Sequence, residues 1–257
     1  MEKRIQAALR ALEAEQHVRV LYAVESGSRA WGFASSDSDW DVRFLYVRRP
    51  EWYLRIVPGR DTLEAMLPDD LDLVGWDLQK ALRLFRKSNP ALLEWLGSPL
   101  VYLDDGQTAD ALRALIPRYL NRRSALYHYR NLAATNFRRY LQRDAVVPKK
   151  YFYSLRALLA CRWVVAHDGP VPVPFRPLLD AELPDGPVRG AIDRLWREKQ
   201  AQVEQTTRPP IPVLHAYIEQ ELAHWGTHAG QVPRAPTPSP TDLDRLFRDT
   251  LARVWSD

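Results

Sequence analysis

The chain has 257 residues, 46% of them hydrophobic and 26% charged, enough to bury a real core in one large or two modest domains. No apolar run approaches the roughly 20 residues of a membrane span, the N-terminus Met1-Glu-Lys-Arg-Ile-Gln6 has no signal-peptide core, and one cysteine, Cys161, excludes an intramolecular disulfide. These features point to a soluble protein of a reducing cytoplasm, with Cys161 packed in an apolar helical run.

In chain order, Glu2 to Glu15 has apolar residues at helical spacing and predicts a helix packed on a sheet. Val18-Arg-Val-Leu-Tyr-Ala-Val24 reads as a buried strand, and Val42-Arg-Phe-Leu-Tyr-Val47 as a second one. Between them lie Gly27-Ser28, a loop containing Gly32 and several serines, and then Asp39-Trp-Asp41. Side chains on a strand alternate faces, so Asp39, Asp41 and Arg43 project together while Trp40, Val42 and Phe44 project the opposite way. Two carboxylates side by side on a half-buried sheet repel unless a cation lies between them. Hard divalent ions such as Mg²⁺ take carboxylate oxygens, waters and substrate phosphates. Gly27-Ser28 offers backbone N–H groups and a hydroxyl with no side chain at Gly27 to fend off a phosphate. The stretch reads as a phosphate-binding turn beside a metal-binding pair; the alternative is a polar turn, Ser35 to Ser38, followed by solvated aspartates on an edge strand.

Gly27-Ser28, ten residues, then Asp39-Trp40-Asp41 resembles the signature of the DNA polymerase β-type nucleotidyltransferase superfamily. The fuller text Gly-Ser-Arg-Ala-Trp-Gly…Ser-Asp-Trp-Asp-Val-Arg resembles its branch of predicted bacterial and phage enzymes associated with RNA repair. The resemblance implies an α/β (α+β) fold, a polymerase β-like mixed sheet with flanking helices followed by a mostly helical second domain.

After Pro50, residues 51 to 67 predict a short helix and a connection, and Leu71 to Asp77 an alternating third strand. Two-metal chemistry needs one more carboxylate, and the resemblance places it on this following strand, at Asp72. Asp77 is the rival, although its position before Leu78-Gln-Lys-Ala-Leu-Arg-Leu-Phe85 suits a helix N-cap; Asp70 shares the face of Asp72 nearer the strand's start. The helix from Leu78 should stop near Ser88-Asn89-Pro90, and Ala91 to Leu96 should form a short one ending at Gly97.

From Thr108 onward the periodicity is helical. A long basic helix is predicted over Arg118 to Arg143, broken by Pro148, and another from Lys149 to about His167. Residues 1 to 110 carry 14 Lys and Arg against 18 Asp and Glu, and residues 111 to 257 carry 22 against 14. Between Pro117 and Trp163 stand 11 basic residues against Asp144 alone, with tyrosines interleaved, so either a polyanion such as RNA or ordinary solvent meets this face. On the second helix Lys149, Tyr153 and Arg156 share a face with Lys150 alongside. In nucleotidyltransferases of the type resembled, a helical domain covers the nucleotide. That makes Lys150 and Arg156 expected triphosphate contacts and Tyr153 a stacking or hydroxyl contact, against the plainer reading of a basic helix start with core aromatics. Prolines punctuate 171 to 177 and 208 to 212, Pro233 to Pro240 reads as an extended linker, and Thr241 should N-cap a last helix ending near Trp255. His224 and His228 lack a third ligand and a zinc-protease glutamate, and read as incidental.

The expectation is therefore a nucleotidyltransferase domain over 1–110 and a helical domain over 111–257 that closes the nucleotide cleft. Asp39, Asp41 and Asp72 would hold Mg²⁺, with Mn²⁺ as its substitute, while Gly27, Ser28 and Arg29 seat an NTP such as ATP and Arg43 orients an aspartate. The acceptor implied by the resemblance is an RNA end. Its rivals are a protein or small-molecule acceptor, and a catalytically silent nucleotide- or RNA-binding module.

Overall fold

The computed structural model describes residues 1–35, 38–201 and 207–256. Its elements run α1 (Glu2–Gln16), β1 (Val18–Glu25), α2 (Gly27–Ala30), β2 (Trp40–Arg48), α3 (Pro50–Tyr53), β3 (Thr62–Leu67), β4 (Leu71–Asp77), α4 (Leu78–Arg86), α5 (Pro90–Leu96) and β5 (Val101–Asp104). Helices follow: α6 (Thr108–Tyr119), α7 (Arg122–Asn136) continued by a π-turn (Phe137–Leu141), α8 (Lys149–Ala166), α9 (Phe175–Glu182), α10 (Pro187–Ala201), α11 (Pro212–His228) and α12 (Thr241–Val254).

The chain divides into two compact units. One comprises Met1–Ala30, Asp39–Leu120 and the residues from Thr237 on; the other comprises Trp31–Ser38 and Asn121–Pro236. This differs from a single boundary at residue 110 in three ways. Helix α6 stays with the sheet, because Ala109, Leu112 and Ile116 join the core under β1 and β2. The last helix returns to the same unit, burying Leu243 there. Residues 31–38 belong to the helical unit, where Phe33 packs among Phe152, Phe175 and Trp196.

The first unit is built on a five-stranded mixed sheet of order β3-β4-β2-β1-β5. β1 pairs antiparallel with β2 and β5, β3 antiparallel with β4, and β2 parallel with β4. Alternation in β2 sends Val42, Phe44 and Tyr46 into a core with Ile5 and Leu9 of α1. Leu45 and Val47 go into the opposite core, with α4, α5 and α6. A bulge between Val20 and Tyr22 lets Leu21 and Tyr22 both join that second core.

Three expectations are corrected, and one strand, β5, appears that the sequence did not predict. Residues 62–67 form the strand β3 rather than a connection: Leu-Glu-Ala-Met favour helix intrinsically, but full antiparallel pairing with β4 prevails. β5 has four residues, too short to show a period. The long basic helix does not start at Arg118, because the chain breaks at Leu120 and Asn121 caps α7 by accepting from Ser124 N at 3.0 Å. Thr241 is the first helical residue rather than the cap; Pro240 holds the cap position and Ser239 Oγ accepts from Thr241 N at 3.3 Å.

Asp77 is the expected N-cap of α4. Its carboxylate accepts from Gln79 N at 2.8 Å and from the Tyr53 hydroxyl at 2.7 Å, and the residue is 1% exposed. Burial outweighs these bonds and pushes its pKa up to about 6. Between the ordinary carboxylate range and that value the folded chain holds a proton that the unfolded chain has lost, so stability falls as pH rises through the window. The loss attributable to Asp77 is about 3 kcal/mol, complete above the folded pKa. Asp77→Asn keeps a capping oxygen and should flatten this slope in urea titrations run from pH 4 to 7; curves that stay parallel to wild type would refute the assignment.

The second unit packs around α8, whose Phe152, Leu155, Leu158, Leu159 and Cys161 are fully buried among α7, α9, α10 and α11. Burial holds the Cys161 thiol far above its usual pKa, as expected of a packing residue. Among the described residues no helix is long and apolar enough to cross a membrane.

Candidate active site

The turn after β1 is tied to β2 by a Ser26 N to Asp41 O hydrogen bond of 2.8 Å, which brings the next residue against the Asp41 side chain. That residue is Gly27, with φ +61°. A Cβ built there would overlap Asp41 Oδ2 and stand 3.2 Å from its Cγ, so only glycine fits on grounds of both conformation and space. Ser28 follows within the single turn α2 and is 8% exposed. Arg29 donates from Nε to the Asp39 carbonyl at 3.0 Å and lies 3.7 Å above the Trp40 ring, bracing the entry to β2.

The parallel pairing of β2 and β4 sets Asp41 opposite Asp72. Arg43, two residues along the same face, reaches back between them: Nη2 donates to Asp41 Oδ1 at 2.8 Å and to Asp72 Oδ2 at 2.9 Å, and Nη1 donates to the Asp72 carbonyl at 3.2 Å. It was expected to orient one aspartate; it joins two. Asp39 lies exposed just before β2. Burial raises the Asp41 carboxyl pKa, Arg43 opposes the rise, and the charges of Asp72 and Asp39 add to it. Asp41 and Asp72 share the single guanidinium of Arg43, which leaves that pair with a local excess of negative charge.

Removing Arg43 would leave Asp41 and Asp72 half-buried and mutually repelling. Arg43→Met is expected to cost roughly 2–4 kcal/mol of stability, since one partner of a desolvated cluster is deleted. The double variant Asp41→Asn/Arg43→Met should recover much of that loss in denaturant titrations; strictly additive losses would show that Asp41 and Arg43 do not interact.

The sequence analysis assigned Glu25 no role. It is fully buried, Oε1 accepts from Asp41 N at 2.9 Å, and Oε2 accepts from the Tyr102 hydroxyl at 2.6 Å. The available signal was a glutamate closing an otherwise apolar strand, a place where an acid persists only with buried donors.

On α8 of the other unit, Lys150 Nζ stands 4.2 Å from the Tyr140 ring centre and 5.1 Å from that of Tyr153. Tyr153 meets Trp31 edge-on at 5.1 Å. Arg156 is 2% exposed, donates to the carbonyls of Pro172 and Val173 at 3.2–3.3 Å, and lies 4.6 Å from the Trp31 ring centre. Of the basic window, Arg122 is bonded to the carbonyls of Val164 and Val165 and Arg162 to Glu221, whereas Arg138, Arg139 and Arg143 are exposed.

Among the described residues no three His, Cys, Asp or Glu side chains gather closely enough to hold a metal ion by themselves. Mg²⁺ is served by one or two carboxylates together with substrate phosphates, and Asp41 and Asp72 present that hard, partly exposed donor set. The residues fit the ion.

A mixed sheet carrying a Gly-Ser turn against in-register aspartates defines a nucleotidyltransferase-like protein. The chain belongs to the RlaP family, the RNA repair pathway DNA polymerase beta family, whose model matches residues 1–249. It is 41% identical over 257 residues to the uncharacterized protein YcgL of Bacillus subtilis (strain 168), covering all of this chain and 99% of that one. A nucleotidyltransferase-like protein from Exiguobacterium sibiricum, solved by crystallography, is 14% identical over 95% of this chain and 80% of its own, with a TM-score of 0.31, a likeness too loose to bear on the fold or the activity.

Proposed function

We propose that the protein transfers a nucleoside monophosphate from an NTP to a hydroxyl at an RNA end and releases pyrophosphate. The observation that supports this best is the cluster itself: Asp41 and Asp72 in register on parallel strands, joined by Arg43, with Gly27 backed onto Asp41.

Asp41 and Asp72, with Asp39 at the mouth, would hold Mg²⁺ or Mn²⁺. When bound, the metal supplies charge neutralisation on the phosphates and a lowered pKa for the attacking hydroxyl. The chain's own part is placement. Arg43 fixes the angle between the two carboxylates, and Glu25 holds the Asp41 backbone from beneath. Gly27 and Ser28 offer an N–H and a hydroxyl to the polyphosphate, and Arg29 keeps Asp39 in place through its carbonyl. Within the helical unit, Lys150 stands beside the Tyr153 ring on α8, and Arg156 is engaged by the carbonyls of Pro172 and Val173 and lies against the Trp31 ring.

The family's description favours RNA as acceptor, and exposed Arg138, Arg139 and Arg143 give it a basic surface. The test is incubation with Mg²⁺ and each of four NTPs labelled at the α- or the γ-phosphate, with RNA oligonucleotides or cell lysate as acceptor. Label should pass to RNA from the α position alone. Transfer from the γ position would make the protein a kinase, and label found only on protein would remove RNA as the acceptor.

A further inference from the structure

The sheet-bearing unit carries a basic surface of its own, at the end of β2 remote from Asp41. Asp41 is the second residue of β2 and Arg49 follows its last, so the two lie roughly 25 Å apart along the strand. From Arg48 to Arg60 the sequence has four arginines and one acid, Glu51. Arg19, near the start of β1 and paired with Val47, brings another arginine to the same end of the sheet.

Two tryptophans organise these charges. Trp255, just after α12, donates from Nε1 to the Arg48 carbonyl at 2.8 Å, which seats its ring at the end of β2. The Arg19 and Arg49 guanidiniums stand 5.5 and 4.7 Å from the centre of that ring. Trp52 of α3 has Arg48 at 5.1 Å and Arg55 at 5.9 Å. A Cβ built on Gly59 would stand 2.5 Å from Trp52 Cζ2, so the loop that carries Arg55 folds back onto the indole. Arg48 serves the fold, donating from Nη1 to the Gln16 carbonyl at 3.0 Å, and Arg60 pairs with Glu64 at 2.8 Å. Arg19, Arg49 and Arg55 are exposed, and among the described residues their side chains make no ion pair and no hydrogen bond. A guanidinium stacked on an indole keeps its in-plane N–H groups open to an oxyanion and loses less freedom when it meets one. Three such cations tethered side by side without an acid repel one another, and the surface is complementary to a row of negative charges.

We propose that this end of the sheet binds the phosphodiester backbone of an RNA strand, with Arg19, Arg49 and Arg55 on its phosphates. The same loop exposes Ile56 and Val57, 100% and 77% of their surface, which would suit an anionic lipid surface as well. Membrane docking, however, draws tryptophans themselves into the headgroup layer, whereas Trp52 and Trp255 are half-buried against guanidiniums. The identity of the strand rests on the RNA reading above; the surface does not depend on nucleotide transfer, because binding here needs neither NTP nor metal.

The experiment is fluorescence anisotropy of a labelled single-stranded RNA oligonucleotide titrated with the full chain over a series of salt concentrations, without NTP or divalent metal. The triple variant Arg19→Gln/Arg49→Gln/Arg55→Gln is expected to bind about tenfold or more weakly at low salt. Its plot of log affinity against log salt should be flatter by about 2, since each phosphate contact contributes about 0.7 on a single strand. All three side chains are exposed, so the urea midpoint should hold; Arg49→Gln and Arg55→Gln singly, each weakening binding severalfold, serve if the triple variant does not fold. Affinity and salt slope unchanged in these variants would overturn the proposal. So would co-sedimentation with phosphatidylcholine vesicles containing phosphatidylglycerol that the variants abolish while RNA binding persists. A chain that binds RNA through these arginines yet transfers no nucleotide would keep this surface and lose the transfer reading; transfer to RNA with binding indifferent to them would do the reverse.

Discussion

Asp41→Asn is expected to lower nucleotide transfer by about a thousandfold or more, roughly 4 kcal/mol of transition-state stabilisation, while leaving the fold intact. The asparagine keeps the shape of the side chain and the backbone N–H bonded to Glu25, but removes the charge that a metal-bound polyphosphate would need. Stability should change by no more than about 1 kcal/mol: the variant loses an ion pair with Arg43, yet it also removes a carboxylate whose burial and repulsion from Asp72 and Asp39 already disfavour ionisation. Asp72→Asn should behave alike, because Arg43 spans both. The labelled-NTP assay read beside a urea titration checks the pair. Either variant retaining activity within a few-fold of wild type, with the fold unchanged, would remove the two-aspartate centre.

Gly27→Ala should be nearly as severe by another route. At φ +61° an alanine costs about 1–2 kcal/mol of backbone strain, and its methyl would overlap Asp41 Oδ2. Either the turn moves outward or the carboxylate swings away, and displacement of a positioning group by about an ångström costs on the order of a hundredfold in rate. Gly106→Ala is the matched control: Gly106 lies in the same unit at φ +73°, with nothing within 4 Å of the added Cβ. It should lose stability to a comparable strain and keep its activity. Equal activity in the two variants would mean that the closeness of Gly27 to Asp41 has no catalytic consequence.

What could be read in advance followed from local rules. Apolar runs gave β1 and β2, alternation gave β4 and the shared face of Asp41 and Arg43, and helix-capping chemistry gave Asp77 as the cap of α4. What could not be read depended on which strands are neighbours. The bridge from Arg43 to Asp72 exists because β2 and β4 run parallel with Asp41 opposite Asp72, although 30 residues intervene and β3 is written in helix-forming residues. The support of Glu25 for Asp41 likewise needs the register of β1 on β2. Composition was also silent on which arginines of the basic window would turn inward. Arg156 finds backbone carbonyls and Arg162 finds Glu221, leaving fewer charges for a polyanion than the sequence tally implied.

The final helix has a consequence for synthesis. α12 packs on α4 and α6 and buries Leu243 in the core beneath β1 and β2, so the sheet-bearing unit is assembled from segments at opposite ends of the chain. A ribosome releasing the protein delivers the entire helical unit before it delivers that last piece. The unit with the aspartates is thus expected to finish folding only once residues 237–254 have emerged, and a chain stopped after residue 236, held clear of the ribosome by a long unstructured linker, should show a protease-resistant helical unit beside a still-sensitive sheet.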